Sequence, residues 1–189
     1  MGDNYKKPSD SDTTITELMV PAYANFGGKI HGGLLLSMMD KVAYACATKH
    51  AENYCVTVAV HNVEFLQPVD VGDLVSMQAR VNYTGSTSMV VGIRVTAENF
   101  QERFVKHTNT SYFTMVAKGQ DGKTAEVPGL RLTDTEDLRR FAEAIMRKKL
   151  RTWYKESMAK HREDYDQVFQ AASLDGENCL VEIPGLGMP

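Results

Sequence analysis

The chain has 189 residues, 43% hydrophobic and 24% charged, with 24 acidic against 21 basic side chains. That is enough for one ordinary hydrophobic core with appendages and too apolar for intrinsic disorder. A sequence pI near 6.0 argues against a general polyanion binder, so nucleic acid is a poor default partner. The three cysteines, Cys46, Cys55 and Cys179, have neither CxxC spacing nor a histidine arrangement that cages zinc. A reduced, cytoplasmic chain without a metal is the expectation.

The polar N-terminus lacks the apolar run of a signal peptide, and position six carries Lys where N-myristoylation expects Ser or Thr. The longest apolar run, Gly32 to Ala47, is interrupted by Ser37, Asp40 and Lys41, so no segment is expected to enter a membrane.

Residues 1–13 are rich in Asp, Ser and Lys, with Tyr5 as their sizeable apolar group, and read as a flexible lead. Thr14 to Val20 reads as a first strand stopped by Pro21, and residues 24–33 form a loop with four glycines. Leu34 to Ala51 contains no Gly or Pro and is long enough for about five helical turns. The period then drops to two. Strands are predicted over Cys55 to Phe65, Leu74 to Tyr83, Met89 to Ala97 and Phe104 to Lys118. In the first of these Val56, Val58 and Val60 share a face; in the second Val75, Met77, Ala79 and Val81 do. Gln67 to Asp73 and Gly85 to Ser88 supply the turns.

This order is α+β: one long apolar helix covered over most of its circumference by a curved antiparallel sheet, the rest of its surface meeting another subunit. Thr133 then opens a second helix through a capping box with Glu136. Between Arg139 and Arg162 that helix carries nine Lys or Arg against two Glu. The tail after Gln170 reads as irregular. The expected domains are therefore a lead over 1–13, a core over 14–132 and an extension over 133–189.

Asp40 is the first candidate for chemistry. At 100° per residue it lies at the border between an apolar wall and a polar stripe of Ser37, Lys41, Tyr44 and Thr48. Two readings stay open: a carboxylate held against apolar surface, whose raised basicity suits a general base, or one member of a solvated stripe. The glycine-dense loop from Asn25 to Gly33 leads into a helix N-terminus, where unpaired N–H groups can hold an oxyanion or phosphate. It lacks the spacing of a P-loop or a dinucleotide fingerprint. The five histidines form no metal-ligand spacing, and no serine sits in a GxSxG elbow. Arg147 to Arg151 is either a solvated basic face or a set of cations for a phosphate-bearing substrate.

These residues form an ordered set: Asn25-x-x-Gly28-x-x-His31-Gly32-Gly33, Asp40, Val56-Thr57, Phe65-x-x-Pro68-Val69-x-x-Gly72-Asp73, Gly85-x-Thr87-Ser88-Met89, and Phe113 to Ala117. The set resembles the hotdog-fold acyl-CoA thioesterases, in the branch of the bacterial YciA-like enzymes and animal brain acyl-CoA hydrolases, over about Ile15 to Leu132. The resemblance implies dimers paired sheet to sheet, with dimers often assembling as trimers of dimers. It also implies a site at the dimer interface, with Asn25 from one subunit and Asp40 from the other.

Asp40 would act as general base on water or, alternatively, as a nucleophile. Asn25 would orient water or the thioester, and backbone N–H groups of Gly32 and Gly33 would hold the oxyanion. The resemblance places Gly85, Ser86, Thr87 and Ser88 near the coenzyme A, which is part of the substrate and not a retained cofactor. Ser86 stands where the family carries a basic residue, which draws attention to Arg147, Lys148 and Arg151 as phosphate contacts. Two other functions fit the same residues: an acyl-thioester hydratase or dehydratase, and a non-catalytic acyl-CoA sensor. The C-terminal extension reads as an oligomerisation arm.

Overall fold

A computed structural model describes residues 4–163 together with 178 and 179. The expected irregular tail lies outside the described residues, apart from Asn178 and Cys179. Compact packing divides the chain between Ile145 and Met146, inside the second helix and not at the expected 132/133 boundary. In the first unit the elements are β1 (Tyr5–Lys6), β2 (Thr13–Leu18), α1 (Gly32–Ala51), β3 (Tyr54–His61), β4 (Leu74–Thr84), β5 (Ser88–Asn99), β6 (Phe104–Lys118) and β7 (Gly129–Leu130). The last helix, α2 (Thr135–Glu163), begins in that unit.

Five strands form one antiparallel sheet in the order β2-β4-β5-β6-β3, which places β3 on an edge. The alternation read from the sequence reappears as burial: Val75, Met77, Ala79 and Val81 of β4 point inward, as do Val91, Ile93 and Val95 of β5 and Phe113, Met115 and Ala117 of β6. Against them packs the face of α1 that repeats at three and four residues, through Leu35, Met38, Met39, Val42, Ala43, Cys46 and Ala47. Ala43, Cys46 and Ala47 are small enough to bring the helix axis close to the sheet. Full burial of each larger apolar side chain stabilises the fold by about 1.5–3 kcal/mol. One long helix held in a curled antiparallel sheet is the hotdog arrangement that the motifs imply.

Four findings refine the expectations. First, the sheet wraps α1 and leaves Leu36 and Tyr44 exposed, on the side expected to meet another subunit. Second, β3 ends at His61 and carries a bulge between Thr57 and Ala59, so Val58 and Val60 are exposed. A bulge inserts an unpaired residue and breaks the two-residue alternation on which the sequence reading relied.

Third, the described part of the lead is packed. Tyr5 and Lys6 pair in parallel with Gly129 and Leu130, and Pro8–Ser11 form a 3-10 turn. Ser11 is fully buried; its Oγ donates to the Pro8 carbonyl at 2.6 Å and accepts the Val81 N–H at 2.9 Å. Lys6 Nζ donates to the His50 carbonyl at 2.8 Å and to Glu52 at 2.6 Å, tying the segment to the C-terminal end of α1. Apolar content underestimated this region because polar side chains anchor it.

Fourth, the cap of α2 is Asp134, whose Oδ1 accepts the Asp137 N–H at 2.7 Å, while Asp137 Oδ2 accepts from Thr133. Glu136 pairs instead with Arg139 and Arg140. An aspartate one residue later out-competes the threonine because a charged acceptor binds helix N–H groups more strongly.

Candidate active site

The loop before α1 is built by hydrogen bonds within itself. The Asn25 N–H donates to the Lys29 carbonyl at 2.7 Å, and the Gly28 N–H to the Asn25 carbonyl at 3.0 Å. Gly28 has φ +77°, the left-handed region that favours glycine. The Asn25 side chain closes the turn: its Oδ1 accepts the N–H groups of Gly27 at 2.9 Å and Lys29 at 3.2 Å. With that oxygen committed, the amide NH2 of Asn25 is the end that can donate to a ligand.

The loop is pinned to the 69–73 turn. The Ile30 N–H donates to the Val69 carbonyl at 2.9 Å, and Lys29 pairs with Asp70. Lys106 joins Asp70 to fully buried Asp73 at 3.2 Å each. The Lys29 ammonium, helped by Lys106, holds the Asp70 carboxyl below the usual carboxylate range.

At the start of α1, His31 is the cap, and its Nδ1 accepts the Gly33 N–H at 2.9 Å. A Cβ on Gly33 would stand 2.8 Å from His31 Cε1, so this contact requires glycine. The Gly33 N–H is therefore taken, which corrects its assignment to an oxyanion; the Gly32 N–H has no such internal bond. The ring of Phe65 lies 3.4 Å from the position of a Gly32 Cβ and roofs this part of the helix.

Asp40 lies on the stripe Leu36, Asp40, Tyr44, four residues apart along α1. Its carboxylate is exposed in the single chain, the solvated one of the two readings left open by the sequence, because this stripe faces the edge strand β3 and the single chain leaves both open. Thr57 Oγ1 donates to Asp40 Oδ1 at 2.6 Å, and the Tyr44 and Tyr54 rings lie 6.1 Å apart. Thr57 appeared in the sequence only as part of a strand motif; its distance of seventeen residues from Asp40 gave no sign of contact.

The Gly85–Ser88 turn joins β4 to β5 and is tied down on both sides: the Ala117 N–H donates to the Thr87 carbonyl and the Val127 N–H to the Ser86 carbonyl, each at 3.0 Å. Register connects this turn to Asp40. Ser88 lies opposite Val116, which lies opposite Val56 on β3, one residue before Thr57. The turn and the Asp40–Thr57 pair thus share one end of the sheet, two strand spacings or about 10 Å apart. No hydrogen bond links Asn25 to Asp40 among the described residues. Arg147, Lys148 and Arg151 lie on α2 beyond Ile145, in the second unit.

Other groups are less suited to chemistry. Burial pushes the Cys46 thiol up to about 12, which keeps it protonated and unreactive. Among the described residues no cluster of His, Cys, Asp or Glu could hold a metal. A cavity of about 500 Å³ on the opposite face of the sheet includes Arg80, Asn82, Arg94, Tyr112 and Arg140. Arg80 there is paired with Asp12 and Arg140 with Glu136, and none of the candidate catalytic residues reaches it.

The thioesterase superfamily profile matches residues 27–102. A crystal structure of an apo hexameric acyl-CoA thioesterase superposes with a TM-score of 0.77 at 33% identity, covering 80% of this chain and 97% of that one. The chain belongs to the acyl-CoA thioesterase family. Protein VdlD of Helicobacter pylori is 42% identical over 138 residues, which is 73% of this chain and 79% of VdlD.

The acyl-CoA hydrolase of Staphylococcus aureus, solved with butyryl coenzyme A, coenzyme A and coenzyme A disulfide, has a TM-score of 0.76 at 27% identity, covering 86% of this chain and 99% of that one. Solved alanine variants of that hydrolase replace an Asn, an Asp fifteen residues later and a Thr seventeen residues after that. These are the separations between Asn25, Asp40 and Thr57 in this thioesterase-family chain.

Proposed function

We propose that this protein hydrolyses acyl-CoA to a carboxylic acid and free coenzyme A, with Asp40 as general base. The observation that carries the assignment is the 2.6 Å hydrogen bond from Thr57 to Asp40 Oδ1 on an open helical stripe. It fixes the carboxylate and leaves Oδ2 to take a proton from water. As the proton moves to Asp40, the water oxygen bonds to the thioester carbonyl carbon and its carbonyl oxygen becomes an oxyanion. The Asn25 NH2 and the Gly32 N–H are the donors proposed to hold that charge. Collapse of the tetrahedral intermediate breaks the C–S bond, and Asp40 returns its proton to the departing thiolate. Coenzyme A leaves as product, and no retained cofactor takes part.

A second copy of the chain completes the site in this reading. Val58 and Val60 on the edge strand, Leu36 and Tyr44 beside Asp40, and a fully exposed Phe26 next to Asn25 are exposed apolar side chains of the kind that oligomers bury. The hexameric state of the similar thioesterase is consistent with burying such side chains. The Asn25 of one subunit then meets the Asp40 of the other. The test is thiol release from acyl-CoAs of short, medium and long chain by the wild-type protein. Release with stoichiometric free acid supports hydrolysis, whereas binding without release at every chain length overturns it in favour of a sensor, and an enoyl product favours a hydratase.

A further inference from the structure

The second half of α2 has a feature that thioester hydrolysis does not use. At 100° per residue, Met146, Leu150, Trp153, Tyr154 and Met158 fall in a sector of about 140°. All five are exposed, Trp153 at 65% and Tyr154 at 60%. Ser157 and His161 share the sector, with Arg147 near its edge. Cations border both margins: exposed Lys149 and Lys160 on one side, exposed Lys155 and Arg162 on the other. From Met146 to Arg162 the one acidic residue is Glu156.

An apolar face bearing Trp and Tyr between two rows of Lys and Arg has the composition of a helix that lies in a lipid–water interface. Its aromatic rings match the headgroup depth, and its cations match anionic phosphates. Pairing with the same helix of a second copy would set cations beside cations along both margins, the reverse of the opposite-charge flanks that stabilise helix pairs. No described helix is long and apolar enough to cross a membrane, so this one would lie on the surface. We propose that residues 146–162 dock on anionic phospholipid membranes, which revises the expectation that the chain meets no membrane.

The docking itself stands apart from the proposed hydrolysis. Its benefit rests on that reading, since long-chain acyl thioesters are amphiphiles that partition into bilayers.

Trp153 is the single tryptophan of the chain, so its emission reports directly on this face. The full-length protein is mixed with vesicles of phosphatidylcholine alone or of phosphatidylcholine with phosphatidylglycerol. The expected result is a shift of Trp153 emission to shorter wavelength and co-sedimentation with the anionic vesicles only, both reversed by high salt. Leu150→Glu should abolish both signals. Lys155→Gln and Lys160→Gln, which leave the apolar face untouched, should each weaken partitioning roughly fivefold.

Thiol release from a short, soluble acyl-CoA should be unchanged in all three variants, which separates failure of docking from failure of the hydrolase reading. Absence of sedimentation with anionic vesicles would overturn the proposal. So would short-wavelength emission without lipid that follows protein concentration or ignores vesicles, because a second copy or another part of the chain would then cover the face.

Discussion

The two sides of α1 use one helix for opposite ends. Met39, Val42, Ala43, Cys46 and Ala47 have no exposed surface, and a change there is paid in packing energy. Leu36, Asp40 and Tyr44 stand on the open side, where the single chain supplies one hydrogen bond from Thr57 and one ring contact from Tyr54. Stability and proposed chemistry are therefore separated by about a quarter of a helical turn. Adjacent positions such as Met39 and Asp40 should give variants with quite different phenotypes.

The sharpest test of that separation is Asp40→Asn, nearly isosteric and on an exposed site. It should lower kcat/KM for acyl-CoA by about 10²–10⁴-fold with an unchanged melting temperature; near-normal turnover would remove Asp40 from the mechanism. Next is Met39→Ala, which opens a cavity in the core and should cost about 2–5 kcal/mol in chemical denaturation, with turnover per folded molecule near that of the wild type. Thr57→Val removes the hydroxyl that orients Asp40 and should reduce kcat about tenfold, or about 1.4 kcal/mol, without shifting KM or stability. An equal loss of stability would mean that the Thr57–Asp40 bond is structural.

The smallest effect concerns His50, at the far end of the buried face. Its Nε2 lies 2.9 Å from the Pro128 carbonyl oxygen, and burial holds its pKa below the usual value. The unfolded chain therefore takes up a proton at this residue more readily than the folded one does. Stability should be independent of this residue above an ordinary histidine pKa of about 6.5 and should fall as the pH drops below it. Denaturation of His50→Gln across pH 5–8 should show a shallower decline on the acid side than wild type; parallel curves would assign the acid sensitivity elsewhere.

Much of this was readable in the chain because strand alternation and the three-four repeat of α1 are local patterns. Val75 to Val81 needed no tertiary information to show an inward face, and Asp40 already stood at the edge of the apolar stripe. The bulge after Thr57 was not readable, since a single extra residue leaves no mark in a run of Val and Thr. Nor was the packing of Tyr5 to Ser11, which depends on Lys6, Ser11 and Asp12 finding partners 40 to 70 positions away.

By itself the sequence determined the fold class and the order of its elements, and its resemblance to the hotdog thioesterases pointed to Asn25 and Asp40, the pair on which the proposed chemistry rests. Tertiary structure decided which donors remain for that chemistry. It gave the Gly33 N–H to His31, turned the Asn25 NH2 outward and set Thr57 against Asp40. Those outcomes depend on which polar groups meet across distances that no local pattern encodes, and each buried or capped donor must be satisfied by a particular neighbour.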